Sequence, residues 1–258
     1  MKKLIIASLI MLGLGIVVCG SVMAVKGPEM LKEDNNLTAS SFEVDEEFSS
    51  ISITAETNDV YFELSSDGSC RVECMDEEGV THDVTVEDDT LIITTTDKSN
   101  RFTIHIGISE SPKIVVYLPE NEYENLTVNL DSGDLALDGF DFTGDINVDI
   151  TTGDSDFVNV TCANLLYNGT TGDIDLSNVI VSRNIAIDLT TGDVTFDRID
   201  AFGIDVEVTT GDVEGSILTA KTFACDTVAG DVSVPQSSNG GNCRINATTG
   251  DISIVIAD

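Results

Sequence analysis

This 258-residue sequence predicts an all-β chain wound as a single parallel β-helix, or β-solenoid. Three observations predict it: a glycine–aspartate pair at fixed spacing, apolar residues alternating on both sides of it, and no useful helical period after the N-terminus. The pair stands at Gly133, Gly153, Gly172, Gly192, Gly211, Gly230 and Gly250, with gaps of 20, 19, 20, 19, 19 and 20 residues. Five of the seven extend to T-T-G-D, ending at Asp154, Asp173, Asp193, Asp212 and Asp251. Repetition at so short a period marks a solenoid, in which one repeat buries its apolar face only by stacking on another.

Residues 1–25 begin Met1-Lys2-Lys3 and continue as an uncharged, mostly apolar run from Leu4 to Val25. As a helix this run would reach about 33 Å, enough to cross the hydrocarbon layer. Lys2 and Lys3 would hold its start in the cytoplasm and place everything after it outside. The expectation is a single N-terminal transmembrane helix. A signal peptide cleaved near Val22-Met23-Ala24 is the alternative, which would make the remainder a secreted protein. Residues 26–42, rich in Lys, Glu, Asn and Ser, read as a linker.

The solenoid is expected over 43–258, irregular over 43–125 and regular over 126–258. Placing Asn58 in the glycine slot puts Ile51, Ile53, Val60 and Phe62 on the core positions, with Asp59 as corner aspartate; Asn is the next best residue at positive φ. Strand-like runs follow at Val84–Val86, Leu91–Thr94, Phe102–Ile106 and Ile114–Leu118, with less standard corners such as Glu87–Thr90.

In the regular part, the residues seven and five before each glycine are apolar, as in Leu126/Val128, Ile146/Val148 and Ile185/Ile187. So are most of those two and four after, as in Leu135/Leu137 and Val194/Phe196. A spacing of two is the strand period, which puts these side chains on one face. Each coil of about 19–20 residues is then two or more short strands joined by a T-G-D corner, where glycine supplies positive φ. Strands of successive coils pair as parallel ladders, and right-handed winding follows from the preference of parallel crossovers. Outward, two polar columns run along the axis: Asn129, Asp149, Asn168, Asp188, Glu207, Asp226 and Asn246, then the corner aspartates from Asp134 to Asp251. The chain stops at Ile254–Asp258, just after the last corner, so an open solenoid end capable of self-association is expected there.

Composition narrows the partners. With 46 acidic against 12 basic side chains the net charge is −34, which excludes a nucleic-acid partner and favours cations or cationic surfaces. Of the six cysteines, Cys225 and Cys243 fall on core positions and read as buried thiols. Cys70 and Cys74, about 13 Å apart if extended, are too distant to bridge. Cys162 lies near a corner. Cys19 lacks the small residue that a lipidation signal places before its cysteine.

No catalytic constellation stands out. A glycosidase needs one pair of carboxylates with separated pKa values, but here carboxylates recur identically in every coil. Basic residues such as Arg183, Arg198 and Arg244 form no column. His82, expected in a turn, and His105, on a strand, read as surface residues. The sequence contains no G-x-S-x-G, phosphate loop or H-E-x-x-H. The chain is expected not to be an enzyme and to carry no cofactor.

The T-T-G-D corners behind one N-terminal apolar segment, with Ser50-Ile51-Ser52-Ile53 leading into Asn58-Asp59-Val60, resemble a bacterial family. It is a domain of unknown function known as the putative-adhesin family, and the resemblance covers about Phe42 to Ile256. It implies a β-solenoid, membrane-anchored in Gram-positive bacteria and in some cases linked to envelope-stress operons. Its motif is structural, so it transfers no catalytic residue. The functions implied are a cell-surface display or adhesion module for carbohydrate, peptidoglycan or protein, or else a membrane-anchored sensor or regulatory ectodomain. A polysaccharide-active enzyme is a third reading.

Corner carboxylates stacked about 4.8 Å apart would repel by roughly 3–4 kcal/mol per pair at an effective dielectric near 20, or about 1 when fully solvated. Hydrogen bonds from corner N–H groups can offset this. The alternative is a calcium-lined edge through Asp154, Asp173, Asp193, Asp212, Asp231 and Asp251, as in toxins with glycine-rich calcium corners, although that glycine-rich nonapeptide is missing. If calcium lines the edge, millimolar Ca²⁺ will raise the melting temperature beyond the effect of matched ionic strength; an equal effect of the two rules it out.

Overall fold

The computed structural model describes residues 37–77, 79–97, 111–237 and 239–257. These form 22 strands and no helix among the described residues. The 1–25 anchor, residues 26–36 of the expected linker, the Phe102–Ile106 run and His105 lie outside the described residues. The rest of that linker is not a linker: Leu37–Val44 is strand β1, paired antiparallel along its length with β4 (Cys70–Glu77).

Alternating inward side chains build coils with three sides. The broad side comprises β9 (Leu126–Ser132), β12 (Asp145–Thr152), the later parts of β14 (Thr161–Thr171), β16 (Ile180–Thr191) and β17 (Val194–Thr210), and then β21 (Asn242–Thr249) and β19 (Thr222–Ala229). The second side holds β10 (Leu135–Asp138), β13 (Ser155–Val158), β15 (Ile174–Ser177), the start of β17, β18 (Val213–Ile217), β22 (Ile252–Ile256) and β20 (Val232–Ser233). A short third side contains β8 (Glu122–Tyr123), β11 (Asp141–Phe142) and the first residues of β14 and β16. Every ladder named here is parallel, as expected of a β-helix.

The predicted inward positions of the stack are buried, from Leu126, Val128, Leu135 and Leu137 to Cys243, Ile245, Ile252 and Ile254, except on β19 and β20 and just after it. A third inward column, three residues before each glycine, holds Leu130, Ile150, Leu189 and Val208. Two polar intruders in the core satisfy each other: Tyr167 Oη lies 3.0 Å from Ser155 Oγ. Gly169 stands in that third column, and a Cβ there would lie 2.8 Å from the Tyr167 ring.

The T-G-D corner explains the period. The corner glycines have φ from +136° to +156°, where an L side chain is strained. Each also abuts the carbonyl of the residue in its slot on a neighbouring coil: a Cβ on Gly133 would lie 2.1 Å from Asn58 O, and one on Gly172 or Gly192 1.9 Å from Gly153 O or Gly172 O. The exception is Asn58, whose φ is not positive, contrary to expectation. As the first residue in this column it is instead fully buried, and its Nδ2 donates to Asp76 Oδ2 at 2.5 Å. A second corner six residues later, at Gly139, Asn159, Asn178 and Arg198, is also at positive φ, from 53° to 79°.

Coil order in space departs from coil order in sequence at both ends. Strand β2 (Ser50–Ala55) pairs directly with β9, and β3 (Asp59–Leu64) with β10. The later segments β6 (Thr90–Asp97) and β7 (Lys113–Leu118) lie outside them. Beyond these, pairing turns antiparallel, β5 (Val80–Glu87) on β6 and β4 on β7. The Glu87–Thr90 corner is therefore a two-residue hairpin turn rather than a solenoid corner, with φ of 47° and 65° at Asp88 and Asp89.

At the other end, the last coil of the chain is inserted between its two predecessors: β22 pairs with both β18 and β20, and β21 with both β17 and β19. The open end is therefore β19 and β20, not the Ile254–Asp258 stretch expected from chain order. Val232 is accordingly 42% exposed, and Phe223, Cys225 and Val234 are only partly buried.

The five cysteines among the described residues are free. Burial pushes the Cys70 thiol up to about 11 and those of Cys74 and Cys162 up to about 12, which keeps them protonated and unreactive. Gly192→Ala is expected to cost about 3 kcal/mol or more, lowering the melting temperature by roughly 6–12 °C in thermal unfolding, because strain and a backbone clash combine.

Candidate functional site

The corner aspartates form a continuous chain of hydrogen bonds. Asp59 Oδ1 accepts the N–H of Asp134 at 3.0 Å, and Asp134 that of Asp154 at 2.8 Å. The same bond joins Asp154 to Asp173, Asp173 to Asp193 and Asp193 to Asp212 at 2.7–2.8 Å. It continues to Asp251 at 2.7 Å and then to Asp231 at 2.8 Å, following spatial rather than sequence order. A charge-assisted bond of this kind holds each carboxylate beside its neighbour. Among the described residues, no three His, Cys, Asp or Glu side chains converge as a metal site.

The broad side presents the larger flat surface. Along it the Asn129, Asp149, Asn168, Asp188 column keeps register, and Asn168 Nδ2 donates to Asp149 Oδ1 at 2.8 Å. These residues, with Asp131, Thr151 and Thr170, line an open groove of about 350 Å³. Each side chain sits there because the strand period points it away from the core column beside it. Further along, Arg244 of β21 bridges Asp205 Oδ2 at 2.8 Å and Glu207 Oε1 at 3.0 Å, both on the neighbouring coil.

On the second side, Asp156 and Asp175 face outward in register. Partial burial, and then the carboxylates of Asp175, Asp154 and Asp134, raise the pKa of Asp156 above the ordinary carboxylate value.

His82 differs from expectation, and two basic residues take places that no pattern marked. His82 is not in a turn: it lies on β5, its side chain is only 5% exposed, and Nε2 is 3.1 Å from Asp76 Oδ2. Its parity with Val84 and Val86 was the available signal. This Asp–His pair joins β4 to β5. Lys221, which no pattern marked, is buried, with Nζ 2.6 Å from Asp200 Oδ1 and also bonded to Thr219 Oγ1. Arg198 occupies the second corner at positive φ, its N–H bonded to Ser216 Oγ.

Residues 48–258 match the model of the Toastrack DUF4097 family, and the chain belongs to that family. Among solved structures it is similar to a "putative adhesin" from Bacteroides fragilis, at 18% identity and a TM-score of 0.53 over 85% of this chain and 97% of that one. A "putative lipid binding protein" from Parabacteroides distasonis gives 15% identity and 0.48, over 86% and 98%. A "putative cell adhesion protein" from Clostridium sporogenes gives 11% and 0.43, over 86% and 100%. Identities this low speak for the fold alone. No curated protein matches the chain.

Asp156→Asn is expected to stabilise the protein at neutral pH. A carboxyl whose pKa is raised on folding penalises the fold once it ionises; the penalty is absent below the unfolded value of about 3.9 and complete above the folded one. The melting temperature should rise by about 1–2 °C at pH 7, a small gain because the site is exposed and screened, and should not rise at pH 3.

Proposed function

We propose that this Toastrack DUF4097 protein is a non-enzymatic binding or display module of the cell surface, held to the membrane by residues 1–25 and engaging its ligand through the broad side of the solenoid. The observation that supports this most directly is the groove over Asn129, Asp149, Asn168 and Asp188. Amide, carboxylate and hydroxyl groups there repeat at the spacing of the coils on a rigid β-sheet, a row suited to an extended carbohydrate or protein segment. Rigid elements hold such groups without an ordering cost on binding. The surplus of carboxylates favours uncharged or cationic ligands over anionic ones.

Solid-phase binding of the full chain to immobilised cell-surface polysaccharides and envelope proteins tests the proposal. Saturable retention is expected, weakened roughly tenfold or more by the double substitution Asp149→Arg and Asp188→Arg, with an unchanged melting temperature. Shortening of a polysaccharide during the assay, or no retention on any surface, would overturn it.

A further inference from the structure

A second recess on the broad side interrupts one of its regular columns. Eight residues before the first four corner glycines stand Asn125, Asp145, Asn164 and Asn184, linked from coil to coil. Asp145 N donates to Asn125 Oδ1 at 2.9 Å, Asn164 Nδ2 to Asp145 Oδ1 at 2.6 Å, and Asn184 N to Asn164 Oδ1 at 3.3 Å. The next coil has Gly203 in this column, and a Cβ there would lie 2.5 Å from Asn184 Oδ1. The column resumes with Asn242, which pairs with Gly203. Two residues along, the outward positions of two of these coils carry only Ala186 and Ala224. Asn184 Oδ1 therefore lies over Gly203, and beside it is a recess of about 480 Å³, lined among others by Asn184, Ala186, Phe202, Ala224, Asn242 and Arg244.

Phe202 at its edge is 71% exposed, the one strongly exposed aromatic ring among the described residues. The neighbouring coil sets Gly241 beside it, and a Cβ there would lie 1.6 Å from Phe202 O. No side chain from that position covers the ring. The core is complete without Phe202, so packing does not account for a ring held out in water beside a recess.

We infer that this recess is a subsite for a neutral sugar ring. The inference rests on the binding-module reading and names its ligand class. A pyranose offers a C–H face to lie against Phe202 and hydroxyls at its rim to pair with the amides of Asn184 and Asn242. An anionic sugar lacks a partner, because Arg244 is already paired with Asp205 and Glu207 and the chain carries a net charge of −34. An acyl chain would find, besides the Phe202 ring, only the methyl groups of Ala186 and Ala224 in a recess edged with amides.

The test is NMR of the full chain carrying labelled alanine methyls and backbone amides. It is titrated with neutral trisaccharides (chitotriose, cellotriose, mannotriose), with trigalacturonate and with octanol. At least one neutral trisaccharide is expected to shift the Ala186 and Ala224 methyls saturably. Phe202→Ala should weaken that binding roughly tenfold or more at an unchanged melting temperature, and Phe202→Trp should retain it. An equal response to trigalacturonate, a response to octanol alone, or no response at all overturns the inference. So do saccharide shifts confined to the Asn129–Asp188 groove, an outcome that leaves the binding-module reading standing.

Discussion

The close stacking of corner glycines is the constraint on which the rest of this molecule depends. Where one T-G-D corner lies on the next, a Cβ on the glycine would sit about 2 Å from the carbonyl of the glycine below. Only a residue without a side chain allows that approach, and φ near +140° excludes other residues a second time. Once the corners are superposed, the three inward columns before the glycine and the two after it are superposed as well. The aspartate after each glycine then falls within reach of the next coil's N–H. Core, polar columns and carboxylate chain are consequences of one register.

That register also makes a heavily acidic chain tolerable. The corner aspartates are close enough to repel, yet each from Asp59 to Asp251 accepts a backbone N–H from the adjacent coil. Elsewhere amides separate carboxylates, as Asn168 separates Asp149 from Asp188 and Asn164 follows Asp145. Arg244 takes up two carboxylates at once near the end of the stack. The ends are handled differently. The antiparallel strands β1, β4 and β5 extend one end, and the chain's last coil is tucked inside the other, so that the terminal strand β22 has a partner on each side instead of forming a frayed edge.

The repeat made most of the interior readable before any coordinates. Leu126 to Ile254 could be assigned to inward columns because a strand period on either side of a glycine admits one alignment. Asn58 could be placed in the glycine column for the same reason, although its buried side-chain bond to Asp76 could not. Thr81-His82-Asp83 looks like a turn in the sequence, and the parity of His82 with the valines that follow is a weaker signal. Phe202 and Gly203 leave a mark in the sequence, a break in the asparagine column. It gains meaning only once β16, β17, β21 and β19 are seen to lie side by side there.

The residue pattern is therefore enough to specify the all-β class, the coil length, the inward columns and the chemistry of each outward column, since all of these follow from spacing along a single strand–corner–strand unit. It is not enough to specify which coil lies on which. Every corner presents the same glycine and aspartate groups, so any two coils can stack in register, and local sequence is indifferent to their order. Packing of the whole chain resolves that choice, placing β2 against β9 and β21 between β17 and β19. The position of the open end and the recess beside Phe202 both follow from it, because each is made by coils that are not consecutive in the chain.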